Sequence, residues 1–197
     1  MTAITKRALS IVYASLKDAG FVRSGPTFTR CRENFIDVLS PQIRSDGKAF
    51  ALNVGVLARF IPRRCKDRTS NLNETDCDVR CRAAPPGNSD HWIAVEKDAD
   101  LLRTEVDALL TESALPFFSK FQDIDSICEA LKVAAIQADT TPAHFSSITR
   151  VGRALLAAHS WQAKADTESA KALATYELSI CNGATSLKSR FRKILEA

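Results

Sequence analysis

The sequence predicts an α+β fold: an N-terminal helix packed on a four-stranded antiparallel meander sheet, followed by a helical C-terminal half. Three observations carry this. Apolar residues between 3 and 19 recur at three- and four-residue steps. Between 27 and 57, and again from 77 to 83, strand-type segments are broken by turn residues. From about residue 92 the helical spacing returns. A run of strands followed by a run of helices favours a segregated α+β arrangement over alternating βαβ units.

In the first helix Ile4, Ala8, Ile11, Val12, Ser15, Leu16 and Ala19 share one face, and Gly20 suits its C-terminal stop. Three strands are expected near 27–31, 34–43 and 48–57, separated by the turns Arg32-Glu33-Asn34 and Ser45-Asp46-Gly47. Pro41 falls inside the second, which places it at an edge or bulge because proline has no N–H to donate. In the third, Phe50, Leu52, Val54 and Val56 point one way, toward the helix, and Ala51, Asn53, Gly55 and Leu57 the other. Residues 58–76 have no period and read as a long polar, basic connection. A fourth strand follows at 77–83, with Cys77, Val79, Cys81 and Ala83 in an apolar row and Asp78, Arg80 and Arg82 opposite.

Beyond it, Leu101, Leu102, Val106, Leu109 and Leu110 form a helical stripe that Pro116 should stop. Ile124, Ile127, Cys128, Leu131, Ala135 and Ile136 form a second. Thr141-Pro142 reads as a cap and first helical position for a third helix carrying Phe145, Ile148, Gly152, Leu155 and Leu156. A fourth helix is expected from Trp161 to Cys181, ended by Asn182-Gly183, and a fifth carries Leu187, Phe191, Ile194 and Leu195. The expected organisation is an α+β domain over residues 1–120 and a helical extension over 121–197, packed on it.

Several short motifs stand in one order: "GFVRSGPTFTR", "FIDVLSPQIR", "FALNVGV", "CDVRCR", then "HW" and "LPFF". In that order they resemble an uncharacterised bacterial family, domain of unknown function 4304, over roughly residues 1–120. The matching positions are Gly20, Phe21, Phe28, Arg30, Asn53, Gly55, Val56, Cys77, Arg80, Arg82 and Trp92; Asp78 and Cys81 depart from the usual pattern. The resemblance implies a fold and no transferable activity.

The chain is long enough to bury a core without disulfides or metals. Its N-terminus carries charges at Lys6, Arg7, Lys17 and Asp18 and lacks a signal-type apolar run, and no apolar run reaches membrane-spanning length. A cytoplasmic protein with no membrane contact is expected, its six cysteines reduced. Charge is uneven: residues 1–90 carry 15 Lys/Arg against 9 Asp/Glu, and the remainder 12 against 14. The basic half includes "RFIPRRCKDR", with Arg63 and Arg64 at its centre. Such a run suits a solvated loop or contact with an acidic partner.

The hexapeptide "CDVRCR" decides among the chemical readings. As zinc ligands Cys65, Cys77, Cys81 and His91 have the right types. On one strand, however, Cys77 and Cys81 lie about 13 Å apart, too far for one ion. No metal or cofactor is therefore expected. His91 is the one histidine placed for acid/base work, with His144 and His159 reading as exposed or cap-like, and no nucleophile elbow or phosphate-cradling glycine loop occurs. No catalytic residue is assigned. Aromatic residues are only 7% of the chain, and of Phe28, Phe35 and Phe60, which lie near arginines, the first two read as core, which disfavours base stacking and nucleic-acid binding. The arginine row remains. Arg30, Arg80 and Arg82 would converge with Asn53 on a polar sheet face if their strands are neighbours, either as a cross-strand ion-pair ladder with Asp37 and Asp78 or as an anion-accepting surface. The expected function is that of a protein-binding module, toxin-neutralising (immunity-like) or adaptor in kind. Its expected surface is Arg30, Asn53, Arg63, Arg64, Arg80, Arg82, His91 and Trp92. The alternatives are a small-ligand or phosphate-ester enzyme using Arg80, Asn53 and His91, and a nucleic-acid binder.

Overall fold

The structure, a computed structural model, describes residues 3–62, 72–180 and 185–197. The chain divides into two compact units. One takes in the described residues of Met1–Leu57 and Cys65–Lys120, the other those of Ala58–Arg64 and Phe121–Ala197. The architecture is α+β, with an N-terminal helix, an antiparallel sheet and then helices. No helix among the described residues is long and apolar enough to cross a membrane.

The first unit opens with helix α1, Ala3–Leu16, extended by a 3₁₀ turn to Ala19. Gly20 stops it at φ +80°, its N–H donating to the Lys17 carbonyl. A side chain would be strained in that left-handed conformation, and this is why glycine serves there. The strands are β1 Val22–Ser24, β2 Thr27–Cys31, β3 Phe35–Ile43, β4 Ala49–Ala58, β5 Val79–Arg82 and β6 Ile93–Ala94. Their order is β1-β2-β3-β4-β5, with β6 paired to the beginning of β4. The short strands β1 and β6 escape the sequence reading because two or three residues show no period. Pro41 sits in an inner strand, yet the β2–β3 ladder covers only Ile36–Leu39, so no ladder bond to β2 is lost at the proline.

Strand β4 is buried along its whole length, so both faces of the sheet are covered there. On the first face lie Phe28, Leu39, Phe50, Leu52 and Val54, all solvent-free, and Tyr13 of α1 stacks on Phe28. The second face is not uniformly small and polar as expected. At one end Ile36, Val38, Leu57 and Leu72 form a hydrophobic cluster with Cys77 packed against it. Cys77 caps a 3₁₀ turn, Glu74–Asp76, and precedes β5 rather than belonging to it. A methyl group on Gly55 would lie 2.7 Å from Cys77 Cβ and Sγ, so the close approach this glycine permits is that of a thiol.

Helix α2, Ala99–Leu109, buries Leu102, Val106 and Leu109, while Leu101 lies on its exposed side. Pro116 does not stop it. A π-helical segment, Leu110–Ala114, leads directly into α3, Leu115–Ser119, and this locally wider helix carries Pro116, which has no N–H to donate to the preceding turn.

The second unit holds α4 Ile124–Ala130, α5 Val133–Gln137, α6 Arg150–Ala163, α7 Thr167–Ile180 and α8 Thr185–Glu196. Three expected helices are reset. The second stripe breaks at Leu131, whose φ −117°, ψ 48° is not helical. Thr141-Pro142 opens only a 3₁₀ turn, Ala143–Phe145, and α6 begins at Arg150 under the Thr149 cap. Trp161 ends α6 rather than starting the next helix, because Ala165 turns left-handed at φ 60° and Asp166 accepts from the Ser169 N–H at the start of α7. The expected stop at Asn182-Gly183 lies outside the described residues. His159 is buried within α6, and that burial lowers its pKa; His144 packs edge-on to Phe121.

Candidate functional site

Antiparallel register builds the site. Strand β5 pairs with β4 so that Arg82 stands opposite Asn53 and Arg80 opposite Gly55. Alternation then puts Asn53, Arg80 and Arg82 on the second face, and β3 contributes Gln42 to it. The Asn53 amide donates to Gln42 Oε1 at 3.0 Å and to Glu74 Oε1 at 3.2 Å, and its carbonyl accepts from Arg82 Nε at 3.2 Å. Arg82 uses its whole fork: Nη2 donates to Gln42 Oε1 and Nη1 to Asp90 Oδ1, each at 2.6 Å. Its guanidinium carbon lies 4.7 Å from the centre of the Trp92 ring, and the indole Nε1 donates to the second Asp90 oxygen at 3.1 Å. The hydrogen bond from Arg82 holds the Asp90 carboxyl below the usual carboxylate range. The result is a planar cation clamped between an aromatic face, a carboxylate and two amides, a geometry that the rigid guanidinium favours.

Arg80 is different. It is exposed and makes no ion pair among the described residues.

Arg30 does not join this face. It pairs with Asp37 across β2 and β3, two residues from Phe28 and hence on the same, helix-covered side of the sheet. There Asp37, fully buried, accepts from Arg30 Nε at 2.9 Å and from Arg32 Nη2 at 2.5 Å. Arg30 also donates to the Ala19 carbonyl and lies 4.8 Å over the Phe21 ring. Once Phe28 is taken as core, alternation sends Arg30 inward as well. His91 bonds to Glu105 Oε1 of α2 at 3.1 Å, and Glu105 in turn binds Lys97. The set Arg80, Asn53, His91 is thus not drawn together by hydrogen bonds. Arg63 and Arg64, and the Cys65 of the zinc reading, lie outside the described residues. Among the described residues no group of three or more His, Cys, Asp or Glu is placed to hold a metal ion.

Sequence reasoning missed Gln42, Glu74 and Asp90. Gln42 was legible: it lies on the alternate β3 positions from Ile36, Val38 and Ser40. Glu74 was not, because it arrives on a turn whose position over the sheet no local pattern encodes. Beside these residues lies a shallow pocket of about 280 Å³, lined by Thr27, Ser40, Gln42, Asn53 and Glu74 and flanked by Pro26 and Pro41.

A helix, an antiparallel meander and a polar cluster on its β4–β5 edge define a small α+β domain. Over residues 12–120, more than half its length, the chain matches a family described as a domain of unknown function (DUF4304), and it belongs to that family. No curated protein and no solved structure matches it.

Proposed function

We propose that the first unit is a protein-binding module whose contact surface is the second face of the sheet around Arg80, Arg82 and Trp92. The observation that carries the reading is the Arg82–Trp92 stack, held in place by Asp90, Gln42 and Asn53. Arginine and tryptophan are the side chains most often responsible for binding energy at interfaces, and they contribute most when little rotamer freedom is left to lose. Arg80, exposed on the same strand and without an ion pair of its own, supplies a charge for an acidic group on a partner. A toxin-neutralising or adaptor role in the cytoplasm fits such a surface. An enzyme reading draws less support, since His91 is engaged by Glu105 rather than by Asn53 or an arginine.

The test is capture from native lysate with wild type, Arg80→Glu and Trp92→Ala, after circular dichroism has established that each variant is folded. A partner retained by wild type and released by both variants supports the surface. A partner retained equally by all three overturns it. Retention of nucleic acid with a steep salt dependence would favour the nucleic-acid reading instead.

A further inference from the structure

Helix α8 of the second unit presents a row of unpaired cations. It carries Lys188, Arg190, Arg192 and Lys193 against one acid, Glu196 in its last turn. It packs on α6 and α7 and buries Phe191 and Ile194. Helical spacing then sets Lys188, Ser189, Arg192 and Lys193 on the opposite side, with Ser186 at its margin. Ser186, Ser189, Arg192 and Lys193 are exposed and Lys188 is half-buried. Four cations on neighbouring elements have acids of their own: Lys132 pairs with Glu129, Arg150 with Glu177, Arg153 with Asp139 and Lys164 with Asp125. The side chains of Lys188, Arg192 and Lys193 form no ion pair or hydrogen bond among the described residues. A second observation is independent of that count. Lys188 and Arg192 stand one turn apart, where like charges repel and weaken a helix. Lys193, in the last turn, has a structural use beside the helix dipole; the other two have none.

The composition of this face selects among anionic partners. Among the described residues α8 exposes no large apolar side chain. It therefore lacks the aromatic, lysine-poor core of a protein interface and the apolar stripe that enters a lipid headgroup layer. Cations with hydroxyls between them are instead the donor set that meets phosphates. We propose that α8 binds the phosphate backbone of nucleic acid without reading its bases. Lys188, Arg192 and Lys193 replace condensed counterions, and Ser189 supplies a neutral donor between them. The few aromatic residues of the chain are no obstacle, because backbone contact needs no stacking. This surface belongs to the second unit and does not rest on the protein-binding reading of the first.

The experiment uses the full chain and fluorescein-labelled DNA duplexes of about 20 base pairs in two unrelated sequences, with polyglutamate and phosphatidylserine vesicles as the other probes. Binding to the duplexes is read by anisotropy from about 50 to about 200 mM salt. The logarithm of affinity should fall against the logarithm of salt with a slope of about −2.7, three phosphates at about −0.9 each. Lys188→Gln, Arg192→Gln and Lys193→Gln should each flatten the slope by about 0.9, and the triple variant should bind at least about tenfold more weakly at about 50 mM salt. Glutamine keeps the helix propensity of the residues it replaces, and circular dichroism establishes that the variants are folded. Equal binding of the two sequences supports backbone contact, and a preference above about tenfold overturns it. No saturable anisotropy change at low salt, or a triple variant that binds as wild type does, overturns the surface. Tighter binding of polyglutamate or vesicles than of duplex at the same salt overturns nucleic acid as the partner. Protein capture by the first unit is read with Arg80→Glu and Trp92→Ala, so either reading can fail alone.

Discussion

Among the described residues each of the two units buries one carboxylate completely, and the two are treated differently. In the first, Asp37 has both oxygens engaged, one by Arg30 and one by Arg32, with no exposed surface left. In the second, Glu177 on α7 accepts from Arg150 Nη1 of α6 on one oxygen, while the other is buried without a partner. Burial pushes the Glu177 carboxyl above its ordinary pKa, against the pull of Arg150. A buried charge is tolerated when every lone pair is met and costs stability when one is not. Asp37 ties β2 and β3 to the start of the sheet through two arginines. Glu177 fixes the α6–α7 crossing with one bond and an unmet acceptor.

The same chemical change should therefore have opposite weight in the two units. Asp37→Asn aims an amide N–H₂ at a guanidinium and leaves two cations short of an anion; the first unit should lose about 3–5 kcal/mol. Glu177→Gln removes a charge that is half satisfied and should stay within about 1 kcal/mol of wild type. The chain's two tryptophans fall one to each unit, Trp92 and Trp161, so denaturant titrations of single-tryptophan variants report the units separately. Equal losses would dissolve the distinction.

A pH series sharpens it. Because the folded state disfavours the Glu177 charge, the folded unit holds that proton more tightly than the unfolded chain. The contribution to stability is complete below the ordinary glutamate value. It is lost as pH rises through the higher folded value. Wild type should gain on Glu177→Gln on acidification across that window, and a flat difference curve would show that no shift exists. The thiols offer a smaller contrast. Burial pushes Cys81 and Cys128 up to about 11, whereas Cys31 is exposed. At pH 8, alkylation followed by peptide mass spectrometry should modify Cys31 at least about tenfold faster than either. The smallest effect belongs to Arg80→Glu, an exposed site without an ion pair, which should shift the unfolding midpoint by no more than about 0.5 kcal/mol. A larger loss would mean that Arg80 supports the fold rather than serving a surface.

By itself the sequence determined the α+β class, the first helix with its glycine stop, four of the six strands among the described residues, and the alternation that sets Arg82 opposite the core side of β5. Each of these follows from a local period or a backbone restriction within a few residues. It also held the placement of Arg30, since Phe28 and Arg30 are two apart on one strand and must share a face. Only the tertiary structure decided that Cys77 packs on Gly55, that Glu74 and Asp90 reach the Arg82 cluster, and that a left-handed Ala165 separates α6 from α7. Those outcomes depend on contacts between residues far apart in the chain, or on turns whose energies differ by less than neighbouring packing can supply, and no spacing along the chain records them.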